Sequence, residues 1–242
     1  MSLLAGLTSD TSIQEEKDSL GGSFVLESNA YTLTITLPYI MKSAGGAMGL
    51  VLHCVTPEGK NYRETLWVTS GTAKGCKNYY ETTNGEKRYL PGFAMANAIA
   101  VMTTGQELGA LETEVKVANV YNKEAGKEIP TKVDVITDLV GKVFIGGILK
   151  QLSAKTAQDA AGVYQPTGET REENVLDKIF SENGLTMAEL RAGQTEGSFL
   201  TDWVAKWKGQ IKDRSTKGGA TGTAGVPAAA APAAKPAKSL FA

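Results

Sequence analysis

A mainly β protein with one helix between its third and fourth strands is what this sequence predicts. Three observations carry that expectation. Hydrophobic residues alternate with threonines over residues 31–37; turn signals separate two further alternating runs; and an alanine-rich stretch of helical spacing follows a long loop. At 42% hydrophobic and 21% charged, the 242-residue chain has the composition of a globular protein with a real core.

Residues 1–22 are polar, end on Gly21-Gly22 and read as a flexible arm. Strand structure is expected from residue 23, with Tyr31, Leu33, Ile35 and Leu37 on one face until Pro38 interrupts the pattern. A second strand is expected over 47–56. Pro57-Glu58-Gly59 supplies a turn, and a third strand over 62–70 completes a hairpin. On that third strand Tyr62, Glu64, Leu66 and Val68 share one face, and Arg63, Thr65, Trp67 and Thr69 share the other. The second set is the better binding face, although Trp67 would serve equally as a core anchor beneath the N-terminal arm.

Residues 71–91 read as a long loop, a length usually reserved for functional or disordered segments. The helix is expected over 93–102 and stops at Gly105. Alternation resumes at Val115 and Val117, running on to Tyr121, and again at Val133, Val135 and Thr137. An apolar stretch over 143–152 carries Gly146-Gly147, which suggests a bulge or sharp bend. The core is expected to end near residue 155. Thr170 and Glu173 have capping-box spacing for a helix bearing Val175, Leu176, Ile179 and Phe180. A second amphipathic helix would present Leu200, Trp203, Val204, Trp207 and Ile211. From residue 215 the Gly/Ala/Pro/Thr/Lys composition cannot bury enough apolar surface to fold. The expected division is therefore an arm (1–22), a β core (23–155), a helical extension (156–214) and a disordered tail (215–242). Three strands, a helix and two strands form the element order of the OB-fold, a five-stranded barrel that commonly binds oligonucleotides across strands two and three.

Charge has to be read locally, because 25 Lys and Arg balance 26 Asp and Glu. The first thirty residues hold Asp10, Glu15, Glu16, Asp18 and Glu27 against Lys17 alone, whereas the stretch 60–88 and the tail are net basic. Aromatic and basic residues interleave between 61 and 93: Tyr62, Arg63, Trp67, Lys74, Lys77, Tyr79, Tyr80, Lys87, Arg88, Tyr89 and Phe93. Aromatic faces stack unpaired bases, at roughly 1–3 kcal/mol per base, and cations between them track phosphates. Lys60, Lys116, Tyr121 and Lys123 join them as candidates for single-stranded nucleic acid. Tyr79 and Tyr80 are adjacent, so one is expected on a base and the other as an anchor.

Other chemistries find little support. The lone histidine, His53, sits mid-strand beside Cys54 and reads as a satisfied, half-buried side chain. With Cys76 these make at most three soft metal ligands, too few for a four-ligand zinc site, so no metal or cofactor is expected. Two cysteines argue against a disulfide framework and for a reduced compartment. Gly71-Thr72-Ala73-Lys74-Gly75 lacks the spacing of a phosphate-binding loop, and no catalytic motif is present. The pairs Glu15-Glu16 and Glu172-Glu173 read as solvated charges, so an enzyme is not expected. No segment approaches the roughly 20 apolar residues that span a bilayer, and no signal peptide is evident, which points to the cytoplasm.

The segments Tyr62-Arg63-Glu64-Thr65-Leu66-Trp67-Val68-Thr69, Tyr89-Leu90-Pro91-Gly92-Phe93, Thr103-Thr104-Gly105-Gln106-Glu107-Leu108 and Lys132-Val133-Asp134-Val135-Ile136-Thr137 carry a resemblance to a known family. Over roughly residues 25–180 the chain resembles the single-stranded DNA-binding proteins of lytic tailed bacteriophages. The resemblance implies coating of single strands during replication and recombination in the host cytoplasm, and recruitment of partner proteins by a flexible C-terminus. The tail departs from bacterial members: it ends with Lys235, Lys238, Ser239, Leu240, Phe241 and Ala242 and has no acidic run. Lys238, Leu240 and Phe241 are the expected partner-binding residues, suited to an apolar pocket with acidic surroundings, or else a solubilising end that adds nonspecific affinity. A structural or assembly protein and a single-stranded RNA-binding module are the alternatives to this reading.

Overall fold

The computed structural model describes residues 25–122, 125–159 and 164–215. The expected N-terminal arm, Lys123 and the tail with Lys238, Leu240 and Phe241 lie outside them. The described chain is mainly β, with a large antiparallel sheet and few helices. In chain order the elements are β1 (Asn29–Lys42), β2 (Met48–Val55), β3 (Asn61–Trp67), β4 (Tyr79–Glu81), β5 (Lys87–Tyr89), α1 (Pro91–Thr104), β6 (Thr113–Asn122), β7 (Lys127–Ile136), β8 (Val143–Gln158), β9 (Tyr164–Phe180), α2 (Met187–Arg191), α3 (Phe199–Trp207) and β10 (Ile211–Asp213).

The sheet runs β10-β8-β1-β2-β3, with β9 beside β8 and the β6–β7 hairpin attached through β7 to β1. Every pairing is antiparallel except β10 with β8. β1 does not stop at Pro38. Its upstream half pairs with β8 over Asn29 to Thr34, and it meets β7 only at Tyr39 and Ile40. Pro38 falls in the gap between those partners, where a residue without an N–H is tolerated.

β2 shows how one strand serves two layers. Leu50, Leu52 and Cys54 face the main core with Leu33, Ile35, Phe144, Ile148 and Ile99 of α1. Val51 faces the other side, against Tyr39 and Val135, where Val120 and Val133 of the β6–β7 hairpin pack over them. Helix α1 starts at Pro91, whose missing N–H is harmless in the first turn, and ends on Gly105 in the left-handed conformation at φ 75°. Gly92 lies directly on β3: a Cβ there would collide with the Trp67 carbonyl oxygen.

Two expectations are corrected here. First, the strands expected as the fourth and fifth of a barrel form the β6–β7 hairpin, whose backbone pairs with the rest of the sheet only through β7. The sheet continues instead through β8 and β9. Second, residues 170–180 are strand and not helix, and the boundary expected at 155 falls inside β8. A β-bulge explains the misleading spacing. Gly147 pairs with Lys178 but Ile148 pairs with Leu176, so Asp177 is an extra residue with no partner. Inserting one residue brings Leu176 and Ile179 to the same core, although three apart in a strand they would face opposite ways. The bulged Asp177 accepts hydrogen bonds from Trp203 Nε1 at 3.0 Å and Lys212 Nζ at 3.3 Å. A helical extension over 156–214 is thus reduced to α2 and α3. α3 lays Leu200, Trp203 and Val204 on Leu149 and Phe180. Ile211 lies beyond α3 in β10 and is exposed. A capping box does exist, but at Thr186 and Glu189 on α2.

No backbone ladder joins β3 to β9, so the sheet is not closed. A side chain links the two strands. Glu64 on β3 accepts from the Leu176 N–H of β9 at 3.1 Å, from the Tyr62 hydroxyl at 2.6 Å and from the Thr65 N–H at 3.1 Å.

Candidate nucleic-acid interface

The segment expected as a long loop folds back as a short hairpin. Tyr79 pairs with Tyr89, Tyr80 with Arg88 and Glu81 with Lys87, around a turn with Gly85 at φ 79°. Because side chains alternate along a strand, Tyr79, Glu81, Lys87 and Tyr89 share one face and Tyr80 and Arg88 the other. Adjacency in sequence therefore separates Tyr79 from Tyr80.

The first face gathers the chemistry. Lys77 Nζ lies 5.4 Å and Lys87 Nζ 5.2 Å from the centre of the Tyr79 ring. Tyr89 is 64% exposed, and its ring centre stands 5.1 Å from that of Phe93 in the first turn of α1. Phe93 in turn forms a wall of an apolar cavity of about 480 Å³, with Met48, Val68 and Leu111 at its back and Lys77 and Asn78 on its polar side. Two ammonium groups, the exposed Tyr89 ring, the half-buried Tyr79 and Phe93 rings and an adjoining apolar hollow are thus set side by side. Such a surface accepts flat, apolar-faced and anionic ligands: aromatic faces for rings, cations for phosphates.

The loop over 70–78 holds this hairpin to the connection between β1 and β2. Thr72 N–H donates to the Gly45 carbonyl at 2.8 Å, and Ser70 N–H to the Lys77 carbonyl at 2.8 Å. Gly71 packs so closely on Gly45 that a Cβ would meet its carbonyl oxygen at 2.7 Å.

Other expected site residues are dispersed. Tyr62 is corrected outright: it is 6% exposed in the main core, its hydroxyl is on Glu64, and burial holds that hydroxyl's pKa well above its ordinary value. It shares its strand face with Leu66 and Val68, the side of β3 turned to the core. Arg63 and Trp67 both lie on the opposite face of β3, four residues apart. Arg63 donates to the Tyr39 hydroxyl at 3.3 Å; Trp67 is half-buried over Gly49, where a Cβ would stand 3.1 Å from its ring. Lys60 is exposed at the β2–β3 turn, and Lys74 in the turn after β3. Arg88 pairs with Glu86 at 3.0 Å on the far face of the hairpin. Lys116 and Tyr121 are exposed on β6, with Lys116 paired to Glu114 at 3.1 Å. Sequence reasoning missed Asn78 and Leu111 as part of the hollow, because neither belongs to an aromatic or basic pattern.

His53 lies half-buried on β2 beside its pairing partner Arg63, 5.9 Å between ring centres from Tyr39. It is not the satisfied histidine expected, since its buried Nε2 has no hydrogen-bond partner among the described residues. Burial first, and then the Arg63 charge, lower its pKa from 6.5, with Glu128 acting the other way. The folded state therefore binds a proton less readily than the unfolded chain. Stability is complete above pH about 6.5 and declines as pH falls through the folded value. Urea titrations at pH 7.5 and 5.5 should show this decline in the wild type and a smaller one in His53→Phe. Cys54 is buried with its thiol pKa pushed up to about 12, and Cys76 is exposed. Among the described residues no group of three His, Cys, Asp or Glu side chains converges as metal ligands would. Among them, too, no helix is long and apolar enough to cross a membrane.

The chain matches no protein-family model and no curated protein.

Proposed function

We propose that the protein binds single-stranded DNA without marked sequence preference, and that the Tyr79–Tyr89 face of the β4–β5 hairpin is the centre of its site. The observation that carries this reading is the grouping of Lys77, Lys87, Tyr79 and Tyr89 on one side of the hairpin, with Phe93 of α1 against Tyr89. Bases stack on Tyr89 and Tyr79 while the lysines swing from the Tyr79 ring to the phosphates. Arg63 and Trp67 on β3, with Lys60 and Lys74, extend the path of the strand.

The sheet order supports an OB-type barrel within this reading. Strands β1, β2, β3, β8 and β9 take the places of the five barrel strands, α1 sits between the third and fourth, and β6–β7 is an insertion. In that arrangement Glu64 supplies the join between β3 and β9. The role in the cell is coating of single strands in phage replication and recombination in the host cytoplasm, with no catalysis and with the tail beyond residue 215 recruiting partner proteins.

Fluorescence anisotropy of labelled oligo-dT, duplex DNA and oligo-U across a salt series tests the proposal. Five or so phosphate contacts would give a slope of log affinity against log salt of about −3.5, at −0.7 per contact. Oligo-dT should bind tightest. Equal affinity for duplex, tighter binding of oligo-U, or affinity indifferent to salt would each overturn it.

A further inference from the structure

Among the described residues β6 is a long strand edge that is neither bulged nor covered and carries only two charges, Glu114 and Lys116. Among the described residues it pairs only with β7, in unbroken register from Thr113 to Asn122. Its outer edge thus presents a ten-residue row of backbone groups with no proline and no bulge. Natural edges of that length are shortened, bulged, covered or heavily charged, because an open one templates further pairing. Val115 and Val117 on this strand are 68% and 66% exposed, the two most exposed large apolar side chains among the described residues. The opposite face of the hairpin is already committed to the sheet through Val120, Val133 and Val135.

We propose that the occupant of this edge is a second copy of the chain, paired antiparallel through β6 about a two-fold axis at Val115. The charge pattern of the strand selects both the partner and the register. With Val115 opposite its own counterpart, Glu114 of each copy faces Lys116 of the other, and Thr113 faces Val117. The Glu114–Lys116 pair within one copy, at 3.1 Å, becomes a four-charge ladder across the join. A register centred on Lys116 would set lysine against lysine, which is unfavourable directly across a sheet. Two hairpins then form one continuous four-stranded sheet, and Val115 and Val117 gain cross-strand neighbours. The inference does not depend on the DNA-binding reading.

Sedimentation velocity over a concentration series tests it. The wild type should dimerise reversibly. Lys116→Glu sets glutamate against glutamate at two places and should weaken the dimer about tenfold or more. The exchange Glu114→Lys with Lys116→Glu restores opposite charges across the axis and should restore the dimer, an outcome that mere surface damage would not give. In a Cys76→Ser background, Val115→Cys should oxidise to a cross-linked dimer, since directly paired residues lie about 4.5–5.5 Å apart at Cα, within disulfide reach. A wild type that stays monomeric at every soluble concentration would overturn the proposal. So would a dimer that survives Lys116→Glu, or one in which Val115→Cys does not cross-link.

Discussion

Exchanging Lys77 and Lys87 together for glutamate is expected to abolish most of the single-stranded DNA affinity at low salt while leaving the fold intact. Both side chains are exposed and both ammonium groups lie over the Tyr79 ring, so they act on the same stretch of ligand. Removing two phosphate contacts should flatten the salt dependence by about 1.4 in slope, at 0.7 per contact. The introduced carboxylates also repel the backbone, so the loss should reach roughly a hundredfold, about 2.7 kcal/mol. Neutral replacement by glutamine should flatten the slope equally and cost less affinity. Tyr89→Ala should act differently, lowering affinity by about 1–3 kcal/mol at every salt concentration without changing the slope. Anisotropy titrations of the three variants at several salt concentrations separate these effects. Unchanged affinity in the double glutamate variant would remove the hairpin from the site.

Glu64→Ala is expected to lose about 2–6 kcal/mol of folding stability. The carboxylate is the shared acceptor of the buried Tyr62 hydroxyl and of the Leu176 N–H, and among the described residues β9 has no strand partner besides β8. Each donor left unsatisfied away from water costs about 1–3 kcal/mol, which gives the range for two. Glu64→Gln keeps one carbonyl oxygen but turns the other acceptor into a donor, so it should fall between wild type and alanine. Urea denaturation measures the loss, and faster hydrogen exchange at the Leu176 amide reports opening between β3 and β9. A loss below about 0.5 kcal/mol, the range of ordinary surface changes, would mean that the link bears no load.

Much of this was legible in the residues themselves. The alternation in β1, the Pro57-Glu58-Gly59 turn between β2 and β3, and α1 with Pro91 at its start and Gly105 at its end follow from local rules of period and backbone freedom. The alternation on β3 also separated Tyr62, with Leu66 and Val68, from Arg63 and Trp67, and the structure buries the first set as that pattern dictates. The basic and aromatic composition of residues 74–93 is equally a property of the sequence.

Tertiary pairing decided the rest. The spacing of Val175, Leu176, Ile179 and Phe180 fits a helix as well as a strand, and only the bulge at Asp177, imposed by pairing with β8, makes it a strand with two buried faces. The alternating residues Val115, Val117, Val133 and Val135 of β6 and β7 look like barrel strands in isolation, yet whether a strand joins a barrel depends on which partner captures its edge. In the site, Lys77, Tyr79, Lys87, Tyr89 and Phe93 became one surface because a three-residue ladder folds the loop back beside α1, a contact that no local pattern encodes. Sequence periodicity sets which side of a strand a residue occupies; long-range hydrogen bonding and packing set what that side faces.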